Sequence, residues 1–322
     1  MNDIYTSIKC KSLVFDVEFH PKLDLICTGL SDGNLLLYKL KEEKKKFQKK
    51  WNIDNNENSV RLVSFSKKGK NILAAFSDSK CSVLDITGDI LWTNKCHKHP
   101  ISSILYTGLN TFLTADESGI IKHWDIRDTS NKPIHKIKEF DDTISSMVLD
   151  REENSVAVAS GGYLGLFDIL HKKRIHSNTI SEEYKDEFLC CDFISNNSKI
   201  VSTTMDGNIF VFSRNPWGCV ESKIKTNKNT INTFVKTNDN AIIFGTSDGL
   251  IQTAHFNPNK LGDVIAKNNT GDSIEKLTIN NKKTLLASIS HDYSIDFYQI
   301  KVKDSHISNS TKKKKKSFFR DL

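Results

Sequence analysis

Residues 101–126 read ISSILYTGLNTFLTADESGIIKHWDI. The segment contains an apolar strand, a short polar turn, a second strand, a tight turn at Ser118-Gly119, and a third strand that ends in Trp124-Asp125. Its β-branched and aromatic residues alternate with polar ones, which is typical of half-buried strands and not of a helix with its 3.6-residue period. The segment is therefore predicted to form three antiparallel strands.

Six further segments share this plan and set the repeat. They are residues 15–40, 60–86, 144–169, 188–212, 231–256 and 274–300. Alignment of the tight turns places one residue of each third strand at a shared position: Tyr38, Leu84, Trp124, Phe167, Phe212, Ala254 and Tyr298. Successive members are 40 to 46 residues apart, which is the period of WD40 propeller blades, whereas kelch blades repeat near ~50 residues. The sequence predicts an all-β fold, a single seven-bladed WD40 β-propeller over residues 1–303.

The tight turns support the same fold. Asp32-Gly33, Asp206-Gly207 and Asp248-Gly249 are hairpin dipeptides, and we expect type I′ turns, in which both central residues have positive φ. The remaining blades carry Asp78-Ser79, Ser118-Gly119, Gly161-Gly162 and Asp292-Tyr293 at this position. The last of these is the least favourable, because positive φ is costly for a bulky residue.

The amino-terminal segment is predicted to close the ring. Residues 274–300 supply three strands, so the seventh blade lacks a fourth. Ile4–Cys10 reads IYTSIKC and has the alternation of a strand. We expect it to form the outer strand of the seventh blade, which joins the termini and removes an open sheet edge.

Trp124-Asp125 is the one literal Trp-Asp pair in the chain. WD propellers often fix a blade with a hydrogen-bonded set of His, Ser or Thr, Asp and Trp. His97 and Thr114 are placed to join Trp124 in such a set, but Ser118 occupies the position that we assign to the aspartate. The sequence therefore predicts an incomplete set, with Trp124 packed between neighbouring blades.

The usual signatures of catalysis and metal binding do not mark a site in this sequence. There is no P-loop, H-E-x-x-H or C-x-x-C, and the two matches to G-x-S-x-G, at residues 29–33 and 245–249, coincide with predicted hairpin turns. The stretch Gly161–Gly165 is glycine-rich but lies in a hairpin without a following helix, so it is predicted to be a turn. Cys96-His97-Lys98-His99 lacks a second ligand cluster for a metal. We predict no enzymatic activity, no metal and no cofactor.

The same composition bears on the compartment. The seven cysteines are an odd number without a C-x-x-C pair, and we expect reduced thiols. No apolar run approaches the ~20 residues that span a bilayer, and the amino terminus lacks the apolar core of a secretory signal. A soluble, intracellular monomer without membrane contact is expected.

Charge is concentrated in a carboxyl-terminal tail. Residues 301–322 hold eight Lys or Arg and two Asp, so they account for +6 of the net charge of +7. We expect residues 304–322 to form a disordered basic tail in which Lys312, Lys313, Lys314, Lys315 and Lys316 serve as a nuclear import signal or a nucleic-acid arm. Codon bias is the alternative origin of such a run, since the chain is rich in Asn, Lys and Ile. Phe318, Phe319 and Leu322 are predicted to dock into a partner's groove.

Several segments resemble the WD-repeat-containing protein 55 family, a eukaryotic family with a yeast member in ribosome biogenesis. They include SLVFDVEFHP (12–21), the stretch from HPISSILY to Trp124-Asp125-Ile126-Arg127, LGLFDI (164–169), TSDGLIQTAHFNPNKLGDVI (246–265) and ISHDYSIDFY (289–298). The resemblance implies a nuclear or nucleolar protein in ribosomal RNA processing and large-subunit assembly, without known catalysis. Its expected role is a non-enzymatic scaffold whose partners are pre-ribosomal assembly factors.

Two alternatives remain open from the residues themselves. Trp124, Asp125 and Arg127 match the W-D-x-R box by which many propellers engage the adaptor of a cullin-type ubiquitin ligase, so a substrate receptor is one alternative. RNA contact is the other, because KKKFQKKW (44–51) interleaves lysines with aromatic residues. In that segment Phe47 and Trp51 either stack on bases or pack inward.

Overall fold

The computed structural model describes residues 4–41, 43, 45–54, 58–150, 152, 154–168, 180–226, 229–268 and 270–300. Within these ranges the chain forms 27 β-strands in seven antiparallel sheets, and no α-helix. Each sheet is one blade. In six sheets the strands are adjacent in the order of the chain, and in the seventh the first strand of the chain pairs with the last. The seven-bladed all-β propeller predicted from the repeat is confirmed.

The first strand of every blade faces the centre of the ring. These strands are β2 (Val14–Phe19), β6 (Val60–Phe65), β10 (Ile101–Tyr106), β14 (Ile144–Asp150), β17 (Phe188–Ile194), β21 (Ile231–Asn238) and β25 (Lys276–Ile279). Each contacts the first strand of both neighbouring blades, and β25 contacts β2. The ring is therefore complete at its inner surface.

The second and third strands carry most of the core. The second strands are β3 (Leu25–Leu30), β7 (Asn71–Phe76), β11 (Thr111–Asp116), β15 (Ser155–Ser160), β18 (Lys199–Thr204), β22 (Ala241–Thr246) and β26 (Leu285–Ile289). The third strands are β4 (Asn34–Lys41), β8 (Lys80–Asp85), β12 (Ile120–Asp125), β16 (Tyr163–Asp168), β19 (Asn208–Ser213), β23 (Leu250–His255) and β27 (Ser294–Gln299). Their side chains form seven apolar clusters, each placed between two neighbouring blades. This packing explains why the shared third-strand position is apolar or aromatic in every repeat.

The outer strands are less buried than the other strands and more polar. They are β5 (Lys46–Asp54), β9 (Ile90–Lys95), β13 (His135–Lys138), β20 (Val220–Lys225), β24 (Lys260–Lys267) and β1 (Ile4–Lys9). In the fourth blade Ile180 forms a bridge to Gly165 at the outer edge, and residues 169–179 lie outside the described part of the chain. Residues 301–322 also lie outside it, and with them the predicted domain boundary at 303 and the tail.

The amino-terminal strand closes the ring as predicted. Strand β1 pairs antiparallel with β27, from Ile4 opposite Tyr298 to Lys9 opposite Ser294. The Ser7 hydroxyl adds a hydrogen bond of 2.7 Å to Asp296 Oδ1. The first and last strands of the chain therefore lie in one sheet.

The tight turns differ from the predicted type I′. Positive φ occurs only at the second residue of the dipeptide in six blades, as in Gly33 (87°), Ser79 (65°) and Tyr293 (60°). The Gly33 amide donates to the Leu30 carbonyl at 3.3 Å, so the loop has three residues, a type I turn followed by a left-handed residue. The prediction of two residues with positive φ was therefore wrong, and the loop is one residue longer. In the fourth blade the turn has two residues, with positive φ at Gly161.

Candidate functional site

Blade three contains a complete chain of buried hydrogen bonds. Trp124 Nε1 donates to Thr114 Oγ1 at 2.9 Å, and Thr114 Oγ1 lies 2.7 Å from His97 Nε2. His97 Nδ1 lies 2.7 Å from Asp116 Oδ2. The aspartate of the set is thus Asp116, the last residue of β11, and the prediction that Ser118 stands in its place was wrong. Ser118 instead donates its backbone amide and its hydroxyl to Asp116 Oδ1.

Burial fixes the direction of these hydrogen bonds. It lowers the pKa of His97 to about 4, although the neighbouring Asp116 carboxylate acts in the opposite direction. The imidazole is therefore neutral at pH 7, with Nδ1–H donating to Asp116 and Nε2 accepting from the Thr114 hydroxyl. Hydrogen bonds from Ser118, Ile120 and His97 hold the pKa of Asp116 below its usual value against the effect of burial.

The order hydroxyl, imidazole and carboxylate is also that of a hydrolase triad. Here Thr114 is 0% exposed, Asp116 1% and His97 3%, so no substrate reaches the hydroxyl. The Thr114 oxygen moreover accepts the indole N–H of Trp124. This chain of hydrogen bonds joins the second strand, the third strand and the link before blade three, and its role is structural.

The first strands enclose a central channel with a cavity of about 450 Å³. Its most polar sector is formed by two acids of β2 and one lysine of β25. Asp16 Oδ2 accepts from the Val63 amide at 2.8 Å, and Glu18 Oε2 accepts from the Phe65 amide at 2.8 Å. Lys276 Nζ lies 3.4 Å from Asp16 Oδ1. The two acids therefore join blade one to blade two, and the lysine joins blade seven to blade one.

The electrostatics of the channel follow from burial. Removal from water, with a smaller contribution from the Asp16 carboxylate, raises the pKa of Glu18 to about 8. The same Asp16 carboxylate is the main cause of the raised pKa of Lys276. These residues were not predicted as a site, although acidic residues at alternate positions of an inner strand indicate polar contacts on its channel face.

Hydroxyl groups form further hydrogen bonds between neighbouring blades around the channel. Ser102 Oγ donates to the Ile144 carbonyl of blade four at 2.7 Å, and Ser145 Oγ donates to the Phe188 carbonyl of blade five at 2.7 Å. Each hydroxyl thus uses a backbone group of the next first strand. Polar residues of the channel are largely committed to holding neighbouring blades together.

A second cavity, of about 410 Å³, lies between blades three and four. Its lining includes His123, His135, Ile134 and Phe167. Burial, with a smaller effect of His135, lowers the pKa of His123 to about 4.

Across the part of the chain that the structure describes, no group of three or more His, Cys, Asp or Glu could hold a metal ion, and all seven cysteines are free.

Antiparallel strands give the ring two distinct rims. The lower rim consists of the connections from first to second strands (20–24, 66–70, 107–110, 195–198, 239–240 and 280–284) and from third to fourth strands (such as 86–89, 126–134, 214–219 and 256–259). The upper rim consists of the tight turns and the links between blades. Asp32-Gly33, Asp206-Gly207 and Asp248-Gly249 thus lie on the upper rim, apart from Trp124-Asp125 at the lower end of β12.

The residues of the W-D-x-R box lie at the lower rim in blade three. Trp124 is 3% exposed and belongs to the core. Arg127 Nη2 and Nε donate to Asp125 Oδ2 and Oδ1 at 2.6 and 2.9 Å, and this contact raises the arginine pKa and lowers that of the aspartate. The Arg127 side chain remains 69% exposed. Of the three residues, the guanidinium is the one that a partner can reach.

The aromatic residues of the lysine-rich segment 44–51 face neighbouring blades. The Phe47 ring stacks on Phe297 of blade seven at 4.1 Å between centroids. Trp51 Nε1 donates to the Ile86 carbonyl of blade two at 3.0 Å. Of the two arrangements left open by the sequence, inward packing is therefore the one adopted.

The tail residues Lys312–Lys316, Phe318, Phe319 and Leu322 lie outside the described part of the chain. Its point of departure is defined, however. The Ile300 amide donates to the Thr284 carbonyl at 2.9 Å, which places the last described residue on the lower rim in blade seven. No helix among the described residues is long and apolar enough to cross a membrane.

A seven-bladed ring with a His-Asp-Thr-Trp set in one blade is the architecture of a WD-repeat propeller. More specifically, the chain belongs to the WDR55 family, whose model matches residues 5–303. The resemblance inferred from the sequence is thereby confirmed.

Relatives from distant organisms agree with this assignment. The WD repeat-containing protein 55 homolog of Dictyostelium discoideum is 30% identical over 295 residues, covering 91% of this chain and 70% of that protein. The homolog of Aedes aegypti is 28% identical and covers 91% of this chain and 62% of its own length. WD repeat-containing protein 55 of Homo sapiens is 26% identical and covers 88% and 73%, respectively.

The fold also matches a solved structure. A chain in the "Crystal Structure of Mitotic Checkpoint Complex" superimposes with a TM-score of 0.79 and 11% identity, over 94% of this chain and 96% of that chain. At this identity the likeness shows the propeller fold and nothing about function.

Proposed function

We propose that this protein is a non-enzymatic scaffold in ribosome biogenesis. It would act in ribosomal RNA processing and large-subunit assembly, bind pre-ribosomal assembly factors through its rims, and reside in the nucleus and nucleolus. Membership of the WDR55 family over residues 5–303 is the observation that carries the proposal. The basic run Lys312–Lys316 supports the location, since such runs serve as nuclear import signals.

The commitment of buried polar groups to structural contacts supports a scaffold. Thr114, His97 and Asp116 bond to one another. Arg214 pairs with Asp150 at 2.5 Å, with the side chains 11% and 0% exposed. Groups with the chemistry of catalysis are thus used to hold strands together.

A localisation experiment tests whether the basic tail directs the protein to the nucleolus. A fluorescent fusion in which Lys312–Lys316 are replaced by glutamine should leave the nucleolus, because the import signal depends on clustered positive charge. The matched control replaces the same five lysines by arginine, which keeps the charge, and should accumulate like the unmodified protein. Nucleolar accumulation of the glutamine variant would show that the tail is not the localisation signal.

Affinity purification with mass spectrometry tests the scaffold itself. The full chain should recover large-subunit assembly factors, and the tail-deleted form, expressed with an unrelated nuclear import signal, should recover the same set because the rims are intact. Recovery of no assembly factor by either form would contradict the proposal.

The exposed Arg127 guanidinium favours a second candidate, a substrate receptor of a cullin-type ubiquitin ligase. It is the reachable member of the W-D-x-R box, and arginine suits charge-assisted hydrogen bonds with a partner. Arg127→Ala should then lose the ligase adaptor in purification, whereas Lys132→Ala on the same connection should retain it. An unchanged set of ribosome-assembly factors in Arg127→Ala, with no adaptor in either sample, would leave the scaffold as the function.

A further inference from the structure

Blades one and two bring exposed lysines together on the lower rim. Six of them form what we term the lysine patch: Lys22, Lys41, Lys46, Lys67, Lys68 and Lys70, all exposed. They come from three connections that are far apart in the sequence. Lys22 lies in the first turn of blade one, Lys41 and Lys46 flank its third-to-fourth connection, and the last three lie in the first turn of blade two.

A buried histidine holds two of these connections against each other. His20 is 3% exposed, and its Nε2 lies 3.1 Å from the Gly69 carbonyl, between Lys68 and Lys70. Its Nδ1 accepts from the backbone amides of Lys22 and Leu23 at 3.0 and 2.8 Å. Because Nδ1 is an acceptor, Nε2 carries the proton and donates to Gly69. One ring therefore fixes the turn of blade one beside the turn of blade two.

The third connection is attached to the same place. The Leu40 amide donates to the Asp24 carbonyl at 2.9 Å, and Lys41 pairs with Lys46 where β4 and β5 meet. Strand pairing and the histidine contact thus make the lysine patch one surface. Backbone contacts hold these lysines close to one another. Their positive charges therefore repel one another in the folded protein.

The positive charge of the patch is not neutralised within the described part of the chain. None of its six lysines forms an ion pair there with a carboxylate. The nearby Asp24 carboxylate lies 3.4 Å from Lys282 of blade seven. Glu43 is exposed within the third-to-fourth connection of blade one and is the other described acid at this place. A partner with several negative charges would therefore gain contacts that no group of the protein supplies.

The composition of the patch indicates the class of partner. Lysine is depleted at protein interfaces, whose energetic centres are usually Trp, Tyr and Arg. Lysine is instead a point charge suited to phosphate, and phosphate contacts position a protein on nucleic acid without reading bases. The aromatic rings in the neighbouring segment, Phe47 and Trp51, are used in contacts with other blades.

We propose that the lysine patch binds the phosphate backbone of RNA without reading its sequence. The surface lies in the ring and not in the tail, and three connections that converge in space form it. The inference goes beyond the proposed function, because direct RNA binding by the ring can hold whether or not the tail directs the protein to the nucleolus.

Fluorescence anisotropy with a labelled 20-nucleotide RNA hairpin tests the proposal. The full chain is used with Lys312–Lys316 replaced by glutamine, so that binding by the tail does not contribute. In this background the patch variant changes Lys22, Lys67, Lys68 and Lys70 to glutamine. We expect affinity at 0.1 M salt to fall about tenfold or more, and the slope of log K against log salt to decrease by about 3, since each lost phosphate contact removes about 0.7 to 0.9.

A matched control separates the patch from net charge. The control variant changes four exposed upper-rim lysines to glutamine, Lys95, Lys98, Lys185 and Lys225, and has the same net charge as the patch variant. It should bind the hairpin within about twofold of its parent, because RNA contacts are local and screened beyond roughly 10 Å at this salt. Equal losses in the two variants would overturn the proposal, as would an unchanged slope in the patch variant.

Competition identifies the polyanion. Unlabelled RNA of unrelated sequence should displace the hairpin equally well, because the patch makes backbone contacts only. Polyglutamate or vesicles of anionic phospholipid at the same charge concentration should compete poorly. Stronger competition by either would assign the patch to an acidic protein or a membrane surface and overturn RNA as its partner. None of these measurements depends on location or co-purification, so their failure is distinguishable from failure of the proposed function.

Discussion

Blades three and one each bury a histidine, and the two rings hold the propeller in different ways. His97 bonds within its own blade, to Thr114 and Asp116 of β11. His20 bonds across to the next blade, at Gly69. Burial lowers the pKa of both rings, so both are neutral at pH 7. The same side chain therefore stabilises a single sheet in blade three, whereas in blade one it fixes the position of two blades, with their surface lysines, relative to each other.

Removal of the closing strand β1 should lower the stability of the propeller more than any other change proposed below. Deletion of residues 1–11 eliminates β1, its pairing with β27 and the Ser7–Asp296 hydrogen bond. The exposed edge and lost packing should cost about 5 kcal/mol, which corresponds to a fall in melting temperature of at least ~10 °C. Thermal unfolding by circular dichroism measures it.

Deletion of the other terminus provides the control for ring closure. Residues 301–322 follow the last strand, and their removal should leave the melting temperature within about 2 °C. An equal effect of both deletions, or no effect of the first, would contradict closure by β1.

Trp124→Ala should damage blade three itself. The substitution empties a core position in the apolar cluster that contains Trp92 and Phe112, and it removes the donor to Thr114. We expect a loss of about 3–5 kcal/mol in the free energy of unfolding, measured by urea titration. Trp124→Phe keeps most of the ring and loses the hydrogen bond, so it should cost about 1–2 kcal/mol. Equal costs for both variants would show that packing contributes little at this position.

The stability that His97 contributes should depend on pH. Its folded pKa of about 4 lies below the unfolded value of 6.5, so the unfolded state takes up the proton first as the pH falls. The contribution is fully present above pH 6.5 and is lost as the pH falls toward 4, by about 3 kcal/mol in total. Urea titrations at a series of pH values measure the slope.

The His97→Asn variant isolates this slope. It should be less stable at pH 7 and should lose less stability than the unmodified protein between pH 6.5 and 4. Glu18 titrates with the opposite sign, since its raised pKa of about 8 favours folding at low pH and opposes it as the pH rises from 4.5 toward 8. Because Glu18 is unchanged in both proteins, its effect cancels in the difference. Parallel pH profiles would contradict the role assigned to His97.

A substitution at Gly69 tests the contact between blades one and two at His20, and it should have the smallest effect of these changes. A Cβ atom there would lie 1.9 Å from His20 Nε2, and φ is +74°. Gly271 has φ of +76° with no atom within 4 Å, so Gly271→Ala carries the backbone strain alone. Gly69→Ala should cost about 1–3 kcal/mol more than Gly271→Ala, and only Gly69→Ala should weaken RNA binding by the lysine patch. Equal costs would show that His20 moves aside freely.

The repeat made the ring predictable, because a third strand recurs every 40 to 46 residues with an apolar residue at one position. The hydrogen-bonded set of blade three was not predicted in full, and the length of the turn explains why. A three-residue loop at 117–119 ends β11 at Asp116, whose carboxylate lies 2.7 Å from His97, whereas a two-residue turn at 118–119 would extend that strand to Glu117. Turn type depends on φ, which the dipeptide alone does not determine.

The lysine patch could not be predicted from the sequence for a different reason. Residues 44–50 drew attention because their lysines are consecutive, but their aromatic neighbour Phe47 packs against blade seven. Lys22 and Lys68 are separated along the chain and meet only because His20 contacts Gly69. Such a surface arises from contacts between blades, and no local pattern encodes it.

The position of Ile300 has a consequence for multivalent binding. The chain leaves the ring on the lower rim in blade seven, which adjoins the blade that bears Lys22. The 22 residues that follow span at most about 75 Å when fully extended. A ligand captured by Lys312–Lys316 would therefore stay within reach of the ring, at an effective concentration near the millimolar range that short tethers provide. Two weak contacts on one molecule would then act as a single tight one, and weakening either would lower the retention of a long RNA far more than that of a short one.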